Sequence, residues 1–194
     1  AHVMTMSTYK SLGGPAGGLL VTNEAEMAER LDTIAFPGMT ANFDAAKSAA
    51  LAVSLLDWRG FGAEYARAMI DLARALAEAL DARGVPVFAK SRGFTNSHQF
   101  AVEAAVYGGG QAASKALRRA GFLACGIGLP MDPAAGDMNG WRIGTPELVR
   151  WGVTPDHAPA VARVIVDGLG SDPDAVAARA ADLRGQFTDL HFMH

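Results

Sequence analysis

A lysine with three hydroxyl-bearing residues directly before it and a glycine–proline turn directly after it is a place where chemistry could be built. The stretch is MSTYKSLGGPAGG, Met6 to Gly18. Lysine forms a Schiff base only through its neutral amine, so such a lysine needs surroundings that disfavour the charge. A strand end beside a glycine-rich turn can bury the stem and aim the amine into a cleft. Ser7, Thr8 and Tyr9 could donate to an anionic group, and glycines let backbone come close to it. The same residues also read as a β-hairpin with a surface lysine, and on this stretch alone both readings stand. A phosphate-binding P-loop is excluded, because Lys10 precedes the glycines instead of following them.

A second candidate is GWRIGTPELVRWG, Gly140 to Gly152. Arg142 lies between Trp141 and Ile143 in a strand ending at Gly144-Thr145-Pro146. A guanidinium in apolar company needs a partner, and its fork suits a carboxylate. The alternative is an edge-strand arginine facing solvent. A third is TNSHQFAVEA, Thr95 to Ala104, with His98 at the start of an alternating strand. His98 is either structural or part of a site lining. His2, His157, His191 and His194 are too scattered for metal-ligand spacing, so no metal is expected. No G-x-S-x-G elbow is present.

The elements that must position these residues follow from periodicity and punctuation. A strand over 2–8 runs into Lys10, Gly13 to Gly18 reverse the chain, and Gly18 to Thr22 form a second strand. Asn23 is the expected N-cap of a helix to about Ile34, which Phe36-Pro37-Gly38 breaks. Helical pattern resumes from Phe43 to Asp57, is interrupted at Gly60 and Gly62, and continues from Ala63 to Arg83. Met69, Ala73, Leu76 and Leu80 form one apolar stripe at the helical period, and Gly84 closes the helix. Strands are then expected at 85–89, 97–107, 122–129 and 140–145, and helices at 111–120, 155–168 and 173–186. The boundary falls within the helical stretch, giving a 1–70 part ending an α/β domain and a 71–194 small α+β domain.

Of the 194 residues, half are hydrophobic and 19% charged, with a net charge of −3. This balance supplies no field to attract nucleic acid or an anionic membrane. No apolar run reaches the ~18 residues of a membrane span. The one cysteine, Cys125, excludes an internal disulfide and suits a reducing, cytoplasmic setting. The opening AHVMTMST has no initiator methionine and enters at once into strand-like sequence, as expected for the back part of a longer protein.

Taken in order, these segments resemble serine hydroxymethyltransferase and its close relatives among the fold-type I pyridoxal-phosphate enzymes. MSTYKSLGGPAGG is similar to that family's hydroxyl run, cofactor lysine and GP-x-GG turn. Phe36-Pro37-Gly38 follows at about the family's distance, TNSHQF resembles its D-N-H-x-F strand, and WRIGTP its R-I-G-T-P motif. The resemblance implies an α/β chain ending a large cofactor domain, followed by a small α+β domain. It implies pyridoxal 5'-phosphate bound covalently to Lys10 as an internal aldimine, with Thr8 and Tyr9 beside it. It further implies that Arg142 holds the α-carboxylate of an amino-acid substrate, that His98 lines the site, and that the full-length protein is a homodimer or higher homo-oligomer.

The departures carry information too. Tyr9 stands where the family usually has histidine. The loop after Gly38 is about four residues shorter than the family's and lacks its glycine pair, leaving Thr40 or Asn42 as substitutes. Where the family has an asparagine that helps hold folate, this chain has Ile127, which cannot make an amide's hydrogen bonds and so tells against tetrahydrofolate. The family's front half, which pairs with the ring nitrogen and forms most of the phosphate cup, has no counterpart here, so the chain alone is not expected to be a competent enzyme. The expected reaction of the parent is cleavage or formation of the Cα–Cβ bond of a β-hydroxy-α-amino acid. Hydroxymethyl transfer, folate-independent aldolase or transaldolase action, and a non-catalytic dimerisation remnant remain as alternatives.

Overall fold

The computed structural model describes residues 1–42, 44–170 and 172–194. They form two compact units, Ala1–Gly62 with Phe192–His194, and Ala63–His191.

In the first unit, β1 (Met4–Ser7) pairs antiparallel with β2 (Gly18–Val21), Met4 opposite Val21 and Ser7 opposite Gly18. Helix α1 (Ala25–Thr33) follows. Asn23 is not its N-cap: Glu24 holds that position, and its N–H is taken by Thr22 Oγ1 at 3.1 Å. The helical path is broken as expected at Phe36 (φ −141°, ψ 125°), within the wide turn Ile34–Met39.

Helix α2 (Ala45–Asp81) runs 37 residues without interruption. Its expected start at Phe43 lies outside the described residues. Asp44 Oδ1 caps its first turn by accepting the Ala46 and Lys47 N–H groups at 3.0 and 3.2 Å. Gly60 and Gly62 were expected to interrupt it and do not; a Cβ at Gly60 would make an ordinary contact, whereas Gly62 is packed too closely for one. A Cβ on Gly60 would lie 3.4 Å from the His194 ring, and one on Gly62 only 2.8 Å from Trp58 Cε3. Alanine and leucine on either side supply the helix propensity that two glycines remove. The helix ends as the sequence predicts, at Gly84 with φ +81°.

In the second unit, β3 (Gln99–Glu103), β4 (Cys125–Ile127) and β5 (Gly140–Gly144) make an antiparallel sheet ordered β3-β5-β4. Helices α3 (Gly110–Arg119), α4 (Pro146–Arg150), α5 (Ala158–Gly168) and α6 (Asp174–Arg184) complete it. The strand expected at 85–89 reduces to a single bridge between Val87 and Val102. Pro86 has no N–H to give a ladder, and Ala89 turns away with φ +59°. The strands expected at 97–107 and 122–129 are shorter than their apolar runs, and α4 lies in a stretch read only as the tail of a motif.

The core of this unit is the face of the sheet that carries Phe100, Val102, Trp141 and Ile143, all buried. The stripe Met69, Ala73, Leu76 and Leu80 is buried as its periodicity requires. Among the described residues no helix is long and apolar enough to cross a membrane.

Candidate active site

Lys10 sits where β1 gives way to a turn locked from several sides. Gly13 N–H closes the turn on the Lys10 carbonyl at 2.8 Å, with Gly13 at φ +74°. Thr8 N–H reaches the Gly17 carbonyl at 3.0 Å, and Gly14 N–H the Thr8 carbonyl at 2.8 Å. Thr8 is 2% exposed, and its hydroxyl donates to the Pro15 carbonyl. That proton is spent inside the turn.

Helix α2 fastens the turn from behind. Trp58 Nε1 donates to the Leu12 carbonyl at 2.9 Å, and Ser54 Oγ reaches the Gly13 carbonyl at 3.2 Å. A Cβ on Gly14 would meet the Thr8 carbonyl at 3.1 Å and Leu51 Cδ1 at 3.3 Å, so this glycine serves the close seating of turn on helix. Sequence reading missed Ser54 and Trp58. Neither belongs to a motif, and only the register of one uninterrupted α2 puts them four residues apart on one side.

The result is a lysine held at its backbone and open at its amine. Lys10 and Tyr9 are both exposed, Tyr9 by 58%. Lys10 makes no side-chain hydrogen bond or ion pair with a described residue. It borders a solvent-open cleft with Thr5, Met6, Ser7, Gly18 and Leu19. The turn leaves a primary amine reachable at the edge of the cleft, as attachment of an aldehyde cofactor requires, while the surroundings that disfavour its charge are not supplied by the described residues.

Arg142 occupies the centre of the second unit's sheet. β5 is the middle strand, not an edge, and Arg142 stands between Ala101 of β3 and Cys125 of β4. Its sequence neighbours Trp141 and Ile143 are buried, yet Arg142 is exposed, because successive side chains of a strand alternate between faces. The expected apolar surroundings therefore belong to the opposite face. Arg142 has no side-chain hydrogen bond or ion pair with a described residue.

His98 lies just before β3, half-buried. Its pKa is lowered from the ordinary 6.5, first by burial and then by the positive charge of Arg142. The charge effect puts His98 within electrostatic reach of Arg142. Its carbonyl accepts the Thr145 N–H at 2.9 Å and the Thr145 hydroxyl at 3.0 Å. Thr145 is fully buried, and its hydroxyl also reaches the Met69 carbonyl at 2.8 Å. The threonine of G-T-P is thus a fastener joining α2, the start of β3 and the end of β5.

The run into β5 is pinned as well. Asp137 accepts the Gln111 and Ala112 N–H groups of α3 at 3.1 Å. Burial alone would raise its pKa, but N–H groups of Met138, Ala112 and Gln111, with the Lys115 charge, bring it below the ordinary value. Asn139 is buried, and its side chain bonds both the N–H and the carbonyl of Leu129.

Compared with known proteins, residues 1–165 match the family model described as serine hydroxymethyltransferase. The chain belongs to the serine hydroxymethyltransferase family. It is 60% identical over its whole length to an alpha-methylserine aldolase of a Ralstonia species, covering 44% of that protein. A serine hydroxymethyltransferase of Pyrobaculum arsenaticum is 36% identical over 99% of the chain and 45% of its own length. Among solved structures, the L-threonine transaldolase of Pseudomonas fluorescens in its internal aldimine state matches with a TM-score of 0.86 and 25% identity, over 100% of this chain and 45% of that one. The chain thus spans somewhat under half the length of these relatives. The likeness shows the fold to be the end of a fold-type I pyridoxal-phosphate transferase domain with a small α+β domain, and the family implies that cofactor.

Proposed function

We propose that the full-length protein containing this chain is a pyridoxal-phosphate aldolase that splits the Cα–Cβ bond of β-hydroxy-α-amino acids without folate, with an α-methylated serine as its substrate class. The observation that carries the reading is Arg142. A guanidinium left unpaired and exposed at the centre of a rigid sheet is a poor structural residue and a good carboxylate receptor, presenting two parallel N–H donors from a fixed base.

In this reading Lys10 is the attachment point, and the locked turn keeps its backbone at one place while its side chain and amine stay free to move. Thr8 acts through the turn, since its hydroxyl is already donated within it. Pyridoxal phosphate, when bound, supplies an electron-poor ring that takes up the electron pair released at Cα. Arg142 holds the carboxylate and so fixes which bond at Cα faces the ring. The substrate hydroxyl loses its proton, the Cα–Cβ bond breaks, an aldehyde departs, and Cα is then protonated. For 2-methylserine the products are formaldehyde and alanine. Tyr9 Oη–H, exposed next to Lys10, is our candidate to donate the proton that Cα takes up, its own being restored by the proton that leaves the substrate hydroxyl. His98, whose charged form is disfavoured by burial and by Arg142, lines the site.

Two observations favour the folate-free version. Ile127 offers no hydrogen bonds to a folate, and relatives at 58–60% identity are named aldolases whereas the hydroxymethyltransferases stand near 36%. Exposed apolar residues on α2, among them Val53, Leu55 and Leu56, support burial against the rest of the protein or a second copy, as a homo-oligomer requires. The test is formaldehyde release from 2-methylserine by the full-length protein, with and without tetrahydrofolate. We expect equal rates, and loss of both activity and the protein-bound cofactor's visible absorbance in Lys10→Ala. A rate that depends on folate would return the protein to the transferases. Absorbance that survives Lys10→Ala would remove Lys10 from its role.

A further inference from the structure

We infer that Leu129, locked in place by Asn139, is the residue that selects substrates whose α-carbon carries an alkyl group. The inference rests on the reading of Arg142 as carboxylate receptor. Gly140 lies two residues before Arg142 on β5, so both point to the same face of the sheet. That face above Gly140 is filled from elsewhere: a Cβ on Gly140 would stand 2.6 Å from both Cγ and Cδ1 of Leu129. Ile127 is paired with Gly140 and faces the same way. The β4 side of this end is therefore an apolar wall roughly 7 Å along the strand from Arg142. Glu103, paired with Gly140 from β3, faces the same end, so the apolar wall is on the β4 side only. At the other end of β5, Gly144 is paired with Gln99, beside His98, and a Cβ on Gly144 would stand 3.6 Å from Pro146 Cδ and 3.9 Å from the His98 carbonyl, so this end mixes polar and apolar groups.

Leu129 is not left to find this position by itself. Leu129 N–H donates to Asn139 Oδ1 at 2.7 Å, and Asn139 Nδ2 donates to the Leu129 carbonyl at 3.0 Å. The same Nδ2 reaches the carbonyls of Met131 and Asp132 at 3.1 Å. One buried amide thus holds the 129–132 loop over the start of β5, and β5 carries Arg142 two residues further on. A carboxylate gripped by Arg142 has its α-carbon one bond away. The α-alkyl group then turns to Leu129 and Ile127, and the hydroxymethyl group to the end that carries Gln99 and His98. A contact of this kind discriminates one methyl group by about 10-fold or more.

The experiment compares kcat/KM for 2-methylserine and for serine in the full-length holoenzyme. Leu129→Ala should lower the ratio of the two about ten-fold, chiefly through KM, and Leu129→Met should keep it within about two-fold. Asn139 is a positioning residue, and Asn139→Ala should lower the same ratio by a similar factor. Equal changes for both substrates in Leu129→Ala, or an unchanged ratio in either alanine variant, would overturn the inference. Arg142→Lys separates this from its premise. If Arg142→Lys raises KM for both substrates while Leu129→Ala leaves the ratio alone, only the Leu129 assignment fails. If Arg142→Lys changes neither KM, the carboxylate reading fails and takes the inference with it.

Discussion

Replacing Thr145 with valine isolates one buried hydroxyl at the junction of three elements. The side chain is fully buried, and its single proton serves the carbonyls of Met69 and His98 at 2.8 and 3.0 Å. Valine keeps the shape and removes the donor. The His98 carbonyl retains the Thr145 N–H at 2.9 Å, and the Met69 carbonyl, inside uninterrupted α2, retains its own helical N–H, so neither acceptor loses its last partner. What is lost is the net worth of a hydroxyl that serves two buried carbonyls, and the upper end of the usual range for a hydrogen bond puts the expectation at about 1.5 kcal/mol. Serine is the control, since it keeps the hydroxyl and gives up one methyl group, about 0.8 kcal/mol. Urea denaturation followed by far-ultraviolet circular dichroism should rank wild type above Thr145→Ser and Thr145→Ser above Thr145→Val. A valine variant as stable as the serine variant would refute the fastening role, because burial without hydrogen bonding would then account for the site.

Gly62→Ala should destabilise despite the better helix propensity of alanine, about 1 kcal/mol in its favour, because its Cβ would stand 2.8 Å from Trp58 Cε3. The shifted ring would loosen the Trp58–Leu12 bond behind Lys10, and a gain in melting temperature would contradict this. His98 makes stability depend on pH with a definite sign. Its folded pKa lies below the ordinary 6.5, so the unfolded chain binds the proton first, and stability falls as pH drops from about 6.5 towards the folded value. His98→Asn should flatten that slope, and Arg142→Gln should move the His98 titration upward in NMR. Cys125 stands beside Arg142 on the same face, so an amino acid bound through its carboxylate should slow alkylation of Cys125, followed by peptide mass mapping. Unchanged alkylation would place the carboxylate elsewhere.

Local signals were the legible ones. The hairpin around Lys10, the stripe Met69, Ala73, Leu76 and Leu80, and the glycine stop at Gly84 each depend on neighbours in sequence, and each formed. The misreadings share one physical origin. Gly60 and Gly62 look like breakers until one knows that the His194 and Trp58 rings lie against them. Val85 to Ala89 look like a strand until the sheet shows only Val87 bridged. The fasteners of the candidate site, Ser54, Trp58, Thr145 and Asn139, were silent for the same reason. Their bonds to Gly13, Leu12, Met69 and Leu129 span from 10 to 76 positions of sequence.

Arg142 shows how far pattern alone can go. In Gly-Trp-Arg-Ile-Gly the charge is flanked by two large apolar side chains, and linear reading assigns it their company. A strand with one buried face reverses the conclusion, because the residues on either side of a charge are the ones that must point away from it. Trp141 and Ile143 secure β5 to the core, and their burial is what forces Arg142 outward, its fork unpaired among the described residues. The same alternation puts Gly140 under Leu129 and Cys125 beside the guanidinium. The proposed carboxylate receptor and the proposed alkyl contact thus share one register. Shifting β5 by a single residue would bury the arginine and expose the tryptophan, so the energy holding Trp141 in the core also holds the site in its working order.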